Sequence, residues 1–300
     1  MTAKIIPKRW AVEMPDGCNI NVTQASQGKH ALLMIHGFGE HSYAWPEVPQ
    51  AIASAYSLVY IDLRGHGDSN WGPAATYHLD NFASDVTAVV DRLGIRSFAI
   101  AGHSLGADVA LRIAMLRRRS LTRLILVEFS LEPTPEDALE FFLTQFAAQF
   151  RIYSSTLEYD ALLQEQRPLA DHTALLRYSS NSLRHKPDGS YEVKCDPALR
   201  TFHQADRDEL SRQAREEIAA LSCPLLLVRG SGSAIVTRAA AEKVVTLAPN
   251  AQLAQIPGAG HAVMLDRPKE FNNIVARFLS TPDSLLSASQ QPARVRCWSA

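Results

Sequence analysis

Short apolar runs alternate with longer stretches of helical periodicity through most of this 300-residue chain, and this alternation is the strongest constraint on its fold. A helix that connects two strands allows them to run parallel in one sheet, with the helices packed on its faces. The pattern therefore predicts an α/β fold with a largely parallel sheet. The predicted strands are residues 31–35 (ALLMI), 57–61 (SLVYI), 97–101 (SFAIA), 124–127 (LILV), 224–228 (PLLLV) and 251–256 (AQLAQI).

The last predicted helix has the clearest periodicity. Its apolar residues recur at i, i+3, i+4, i+7 and i+8, which places them on one helical face. They are Phe271, Ile274, Val275, Phe278 and Leu279. We expect Asp266 to cap the start of this helix and Pro268 to lie in its first turn. The polar tail that follows Leu279 is expected to be loop-like.

The alternation stops between residues 131 and 220. This segment contains helical patches and a turn-rich stretch at residues 186–189 (KPDG), without a strand–helix repeat. It predicts a mostly helical insertion that lies as a lid over one edge of the main domain. We therefore expect a core formed by residues 1–130 and 221–300, and a lid formed by residues 131–220.

Charge and cysteine usage exclude several classes of partner. The net charge is −1, which gives no electrostatic reason to expect nucleic acid or an anionic membrane surface as a partner. Four cysteines without a C-x-x-C pair predict neither a zinc site nor a disulfide framework. The first ten residues lack the apolar region of a signal peptide, and no apolar run approaches the length of a membrane span. We expect a cytoplasmic protein without a metal. The cysteines are Cys18, Cys195, Cys223 and Cys297.

Residues 102–106 (GHSLG) stand between a predicted strand and a predicted helix. In a G-x-S-x-G turn the glycines allow the backbone to reverse sharply, which exposes the serine hydroxyl above the edge of the sheet. The N-terminus of the following helix places a positive dipole end where negative charge develops during acyl transfer. Ser104 is the predicted nucleophile, and a glycine-rich turn without a catalytic role is the alternative.

Two further segments follow predicted strands and complete this pattern. Residues 36–39 (HGFG) lie where an oxyanion loop is expected, and the backbone N–H groups of Phe38 and Leu105 are the predicted oxyanion donors. We expect His36 to brace this loop, and we assign His36 and His103 to the substrate pocket. His261 lies five residues beyond the last predicted strand, in a glycine-rich loop, and is the predicted general base.

These motifs together resemble those of the α/β-hydrolase fold superfamily, and the resemblance covers nearly all of the chain after its N-terminal strands. It implies a mostly parallel eight-stranded sheet, with the lid inserted after the sixth strand. It also implies that Asp62 and Arg64 form a structural turn rather than part of the catalytic machinery. The matching segments are residues 36–39 (HGFG), 62–69 (DLRGHGDS), 102–106 (GHSLG) and 258–261 (GAGH).

One position departs from the family pattern. Most members carry the acid of the triad just after the strand predicted at residues 224–228, but no Asp or Glu occurs from Ile218 to Ala241, and Ala234 occupies the acid's place. Haloalkane dehalogenases and some lipases instead place the acid at the end of the preceding strand, where this chain has Glu128. Glu128 is therefore the predicted acid, with Glu132 as the second choice. A degenerate triad, in a slow enzyme or a binding protein, is the other explanation.

The predicted function is hydrolysis of a carboxylic ester or thioester by Ser104, His261 and Glu128, with a small-molecule acyl substrate and without a metal, nucleotide or flavin. The lid carries an apolar helical face that includes Phe142 and Phe146, which either walls the acyl pocket or only packs the lid. Dehalogenase and epoxide hydrolase chemistry is disfavoured because both require Asp in place of Ser104. C–C bond hydrolysis, a lyase or synthase reaction, and ligand binding without turnover remain as alternatives.

Overall fold

The computed structural model describes residues 7–201 and 207–282. Its strands are β1 (Lys8–Glu13), β2 (Asn19–Gln24), β3 (His30–Ile35), β4 (Tyr56–Ile61), β5 (Phe98–His103), β6 (Leu121–Val127), β7 (Leu183–His185), β8 (Tyr191–Val193), β9 (Leu225–Gly230) and β10 (Ala251–Ile256). Its helices are α1 (Gln50–Ala55), α2 (Leu79–Arg92), α3 (Leu105–Leu116), α4 (Glu136–Ala148), α5 (Thr156–Gln166), α6 (His172–Ser179), α7 (Arg207–Ala219), α8 (Arg238–Leu247), α9 (Val263–Asp266) and α10 (Pro268–Ser280).

The main sheet has eight strands in the order β1-β2-β4-β3-β5-β6-β9-β10. The pairs β1–β2 and β2–β4 are antiparallel, and the other pairs are parallel. This architecture confirms the predicted α/β fold with a mostly parallel eight-stranded sheet. Because parallel strands end at the same edge of a sheet, the loops after β3, β5, β6, β9 and β10 meet there.

The central strands are almost completely buried, as expected for a sheet covered by helices on its faces. All six residues of β5 are buried, and α3 packs against both β5 and β6. At the far edge, α8 and α10 pack against β10. The apolar face predicted for the last helix is buried along α10, which confirms that helix.

The predicted start of α10 is wrong by one residue. Arg267 is the N-cap and Pro268 is the first helical residue, whereas Asp266 ends the short helix α9. The Asp266 carboxylate accepts a hydrogen bond from the Gly260 N–H at 2.7 Å, so this side chain is engaged with the loop that carries His261 and does not cap α10.

The segment between β6 and β9 contains helices α4 to α7 and the antiparallel pair β7–β8. Each of these two strands has only three residues, which is too short to produce a recognisable alternation in the sequence. The predicted turn at residues 186–189 lies between them. The predicted loop at residues 283–300, with Cys297, lies outside the described residues. Among the described helices, none is both long and apolar enough to cross a membrane.

A cavity-forming substitution in the sheet is expected to lower the stability strongly. Leu33, on the central strand β3, is completely buried, so Leu33→Ala should reduce the free energy of unfolding by about 2–5 kcal/mol in urea denaturation. Leu116 ends α3 and is 59% exposed, so Leu116→Ala is the matched control and should change it by no more than about 0.5 kcal/mol. Equal effects of the two substitutions would contradict the burial of β3.

Candidate active site

Ser104 lies at the sharp turn between β5 and α3. Its backbone has φ 51°, a left-handed conformation that non-glycine residues rarely adopt. The Ser104 N–H donates to the carbonyl of Val127 at 2.9 Å, which ties the turn to the end of β6. A strained backbone of this kind is typical of functional sites because the surrounding structure must maintain it.

The two glycines of this turn are required by close backbone contacts. A Cβ atom at Gly102 would lie 2.0 Å from the carbonyl oxygen of Gly106, and a Cβ at Gly106 would lie 2.3 Å from the carbonyl oxygen of Ile35. Both distances are far below van der Waals contact, and backbone atoms have little freedom to move away. The G-x-S-x-G pattern therefore reflects the packing of β5, α3 and β3 around Ser104.

Glu128 immediately follows β6 and also has a left-handed backbone, with φ 56°. Its side chain is fully buried. One oxygen, Oε1, accepts a hydrogen bond from the Gly230 N–H at 2.7 Å. The other, Oε2, accepts from the Ser233 hydroxyl and from His261 Nδ1, which lies 3.0 Å away. Three donors thus compensate for the burial of this carboxylate.

The contact with Glu128 determines the tautomer of His261. An ionised carboxylate only accepts hydrogen bonds, so Nδ1 of the imidazole carries the proton. The other ring nitrogen, Nε2, is then free of a proton in the neutral ring and can act as a base. The His261 side chain is 22% exposed, whereas Glu128 is closed off from solvent.

Glu132, the second choice for the acid, is hydrogen-bonded to two cations and not to His261. Its Oε1 accepts from Arg215 at 2.9 Å and from Lys243 at 3.3 Å. The hydrogen bonds from these two cations hold the pKa of the Glu132 carboxyl below its usual value. The structure therefore brings Glu128, and not Glu132, to His261.

The loop that usually carries the acid in this fold supports the carboxylate here. It contributes the Gly230 N–H and the Ser233 hydroxyl, and Ser233 stands next to Ala234, the residue at the acid's usual place. Ser233 also accepts a hydrogen bond from the Val236 N–H at 3.0 Å, which fixes its own position. Sequence reasoning did not identify Ser233; a hydroxyl beside the missing acid was the signal that could have done so.

The two predicted oxyanion donors lie at the start of α3 and in the loop after β3. Leu105 is the first residue of α3, and the first N–H groups of a helix have no partner within the helix. Residues 37–40 form a turn in which the Glu40 N–H donates to the Gly37 carbonyl at 3.2 Å. Phe38 is the second residue of this turn.

A cavity of about 490 Å3 contains this site. Its wall includes Phe38, Ser104, Leu105, Glu128 and His261 on one side. Residues from the segment between β6 and β9 form another part of it, including Leu139, Phe142 and Leu143 of α4 and Ala214 and Glu217 of α7. All five predicted catalytic and oxyanion residues therefore face one space. Among the described residues, no hydrogen bond joins the Ser104 hydroxyl to His261 in this structure.

Three of the four residues assigned to the substrate pocket lie outside its wall. His36 is fully buried; its Nδ1 donates to the Gly37 carbonyl at 2.8 Å, and its Nε2 accepts from the Leu63 N–H at 3.0 Å. These two hydrogen bonds hold the loop after β3, which is the role expected for His36. Burial lowers the pKa of His36, so its ring is neutral. His103 is also buried, behind His261.

The aromatic residues of α4 divide between the two roles left open by the sequence. Phe142 lines the cavity. Phe146 is buried and packs on Phe38, with 4.6 Å between the ring centroids, so it supports the loop that carries Phe38. The helical spacing could not separate these roles, because both residues lie on the same apolar face.

Part of the cavity wall is polar. Asp108 lies one helical turn after Ser104 on α3 and lines the cavity, as do Arg112 and Glu217. Arg112 donates to the Glu217 carboxylate at 2.7 Å. Burial, with the nearby charge of Glu217, raises the pKa of Asp108 to about 7. Within residues 7–201 and 207–282, no group of three His, Cys, Asp or Glu side chains is arranged to hold a metal ion.

Comparison with known proteins gives the same fold. The chain is 28% identical over 253 residues to N-formylmaleamate deformylase of Pseudomonas putida, a match that covers 84% of this chain and 90% of that protein. It is 27% identical over 253 residues to pimeloyl-[acyl-carrier protein] methyl ester esterase of Nitrosomonas europaea, covering 80% and 92% of the two proteins.

Among solved structures, E-2-(acetamidomethylene)succinate hydrolase superposes with a TM-score of 0.80 at 21% identity, over 92% of this chain and 100% of that one. The family model for the alpha/beta hydrolase fold matches residues 30–268, which include every segment that forms the cavity wall described above. The chain therefore belongs to the alpha/beta hydrolase fold family.

Proposed function

We propose that this protein is a serine hydrolase that cleaves a carboxylic ester or thioester of a small molecule through an acyl-enzyme. The observation that carries the proposal is the convergence on one cavity of Ser104, at a strained strand-to-helix turn, and His261, paired with a buried carboxylate. A nucleophile, a base and a group that orients the base are the components that acyl transfer requires.

In the proposed first step, Ser104 Oγ attacks the substrate carbonyl carbon while His261 Nε2 accepts the hydroxyl proton. A hydrogen bond between these two atoms frequently forms only in the substrate complex. Negative charge then develops on the carbonyl oxygen, and the N–H groups of Phe38 and Leu105 stabilise it. The imidazolium returns its proton to the leaving group, which departs as an alcohol or thiol.

In the second step a water molecule attacks the acyl-enzyme, with His261 again as the base. Glu128 stabilises the imidazolium in both steps and keeps the proton on Nδ1. Because its side chain is buried among three donors, we assign it an orienting and electrostatic role without proton transfer.

We further propose that residues 131–220 form a lid and that the substrate lies between the lid and the sheet. The support is that α4 and α7 supply part of the wall of the cavity that contains Ser104. Leu139, Phe142 and Leu143 provide an apolar surface suited to an acyl chain or an aromatic group. A hydrolase of methyl esters among the relatives agrees with ester chemistry.

Covalent labelling tests the nucleophile. A fluorophosphonate probe should modify the folded protein once, and peptide mass spectrometry should place the adduct on Ser104, because phosphonylation needs a serine activated by a neighbouring base. Ser130 lines the same cavity, and its hydroxyl bonds to the backbone of Glu132 without a neighbouring base among the described residues. Ser130→Ala is therefore the matched control and should label normally. A folded protein that resists the probe would instead support a binding protein without turnover.

A panel of p-nitrophenyl esters and acyl thioesters then defines the acyl group and distinguishes the remaining alternatives. Trapping of an acyl-Ser104 adduct with a slowly hydrolysed ester supports the proposed mechanism. C–C bond hydrolysis, or a lyase or synthase reaction, would be indicated if the probe labels Ser104 but no ester or thioester acylates it.

A further inference from the structure

Both ring nitrogens of His103 face groups that accept hydrogen bonds. Nδ1 lies 2.9 Å from Glu40 Oε2, and Nε2 lies 2.9 Å from the backbone carbonyl oxygen of His261. A carboxylate and a carbonyl offer no proton, so both contacts are satisfied only when each ring nitrogen carries one. The geometry is therefore that of an imidazolium. Its side chain is 2% exposed, so this positive charge lies within the protein interior.

Glu40 supplies the opposite charge from the loop that carries Phe38. Its side chain is 5% exposed, and its Oε2 accepts from both His103 Nδ1 and the Gly37 N–H, the latter at 3.0 Å. Arg167, between α5 and α6, approaches Oε1 at 3.4 Å. One carboxylate thus connects the oxyanion loop, the residue before the nucleophile and the segment that covers the cavity.

The surroundings of His103 favour its charged form. Burial by itself would lower the pKa of His103, but the charge of Glu40 and the hydrogen bonds to Glu40 and to the His261 carbonyl outweigh it and raise the pKa above 6.5. Burial would likewise raise the pKa of Glu40, yet His103 and Arg167 hold it well below 4.5.

The other titratable groups that influence His103 come from several elements. Two carboxyl groups, of Glu128 after β6 and of Asp266 in α9, interact with it across the site. The neutral ring of His36 also interacts with His103, and the ring centroid of His261 lies 4.9 Å from that of His103. The acceptors and carboxylates around the ring therefore compensate for the charge that His103 brings into the interior.

We propose that the Glu40–His103 ion pair is a positioning device that keeps the loop of His261 and the oxyanion loop in place on either side of Ser104. As a consequence, loss of the His103 charge limits activity at alkaline pH. This inference rests on the proposed function. Neither residue touches the reacting atoms, since neither lines the cavity.

The direction in which pH changes activity follows from the two hydrogen-bond acceptors that face the His103 ring. The pair is complete at pH 6.5, the ordinary histidine pKa, where Glu40 is ionised, and it is lost as the pH rises through the raised pKa of His103. The remaining proton stays on Nδ1, next to the Glu40 carboxylate. The Nε2 lone pair then faces the carbonyl oxygen of His261, 2.9 Å away, and two lone pairs at this distance repel each other. The loop that carries His261 is therefore released. We expect kcat to decline over that interval.

The charge state of His103 can be measured without any activity. In the protein labelled with nitrogen-15 histidine, His103 should show two ring N–H resonances at pH 7, identified by their proximity to Gly37 and His261. At alkaline pH the Nε2–H resonance should disappear, which leaves only the Nδ1–H of a neutral ring. A single ring N–H at pH 7 would overturn the proposal, whether or not the protein proves to be a serine hydrolase.

The pH profile of kcat for the best p-nitrophenyl ester, corrected for spontaneous hydrolysis, tests the positioning role. Glu40→Gln keeps the size of the side chain but removes the charge, so it should lower the pKa of His103 and move the alkaline limb to lower pH by about 1–3 pH units. A purely structural role would reduce kcat by the same factor at every pH. An unmoved alkaline limb would therefore overturn the proposal.

Asp85→Asn is the matched control. Asp85 and Arg64 form another buried ion pair, at 2.6 Å, away from the cavity wall, so this variant should lose stability and keep the wild-type pH profile. If Glu40→Gln does not fold, the wild-type nitrogen-15 spectrum still decides the charge state. If Ser104 is not the nucleophile, labelling fails while this spectrum is unaffected, so the two proposals fail separately.

Discussion

Ser104→Ala is expected to lower kcat/KM for the best ester substrate by about 10⁴–10⁶-fold. The substitution removes the only atom that forms the proposed acyl-enzyme bond, and the losses known for nucleophilic serines of such triads are of this size. The measurement is steady-state hydrolysis of the p-nitrophenyl ester chosen from the panel. The residual rate should reflect oxyanion stabilisation and substrate binding alone, which the variant retains.

Two control measurements apply to Ser104→Ala: its stability and its affinity for the substrate. Alanine fits wherever serine fits, and the left-handed backbone at φ 51° already carries a Cβ atom, so the unfolding midpoint should change little. Binding of the intact ester to Ser104→Ala should remain measurable by titration. Hydrolysis within tenfold of the wild type would show that Ser104 is not the nucleophile.

Glu128→Gln is expected to reduce kcat by about 10⁴-fold. The amide oxygen can replace Oε1 as the acceptor of the Gly230 N–H, which turns the NH2 group toward Ser233 and His261. An NH2 group can only donate, so His261 Nδ1 must accept from it and the ring proton moves to Nε2. The imidazole then presents a proton to Ser104 instead of a lone pair.

Glu132→Gln is the matched control for Glu128→Gln. Glu132 is part of an exposed cluster with Arg215 and Lys243, so its neutralisation should change kcat only a few-fold and stability by about 1 kcal/mol at most. Loss of turnover in Glu132→Gln alone would contradict the assignment of the acid. Full activity in both variants would indicate a mechanism that does not depend on an acid partner for His261.

The parts of this protein that were predictable from sequence are those governed by neighbouring residues. The strand before Ser104 is a continuous apolar run, and the helix after it begins where the glycine spacing permits a reversal. The face of α10 repeats at the helical period. The start of α10 was not predictable to the residue, because the Asp266 carboxylate accepts a hydrogen bond from Gly260, six residues earlier, instead of capping α10.

Local pattern also placed Glu128 at the end of a strand, and therefore at the edge of the sheet where Ser104 lies. It could not show what that carboxylate contacts. Its donors, Gly230 and Ser233, are 102 and 105 residues away in the chain, and they come close only because β6 and β9 are neighbours in the sheet. The left-handed backbone at Glu128 likewise had no signal in the sequence, since glutamate is not a residue type associated with it.

The amino-acid sequence by itself determined the α/β architecture and the strand-to-helix turn that carries Ser104, because periodicity and steric limits act over a few residues. Only the tertiary structure decided which carboxylate lies beside the imidazole of His103 and which beside that of His261. The pairing of His103 with Glu40 joins residues 63 positions apart, and that of His261 with Glu128 joins residues 133 apart. Such contacts depend on the order of strands in the sheet and on burial, which raises the cost of any unpaired charge.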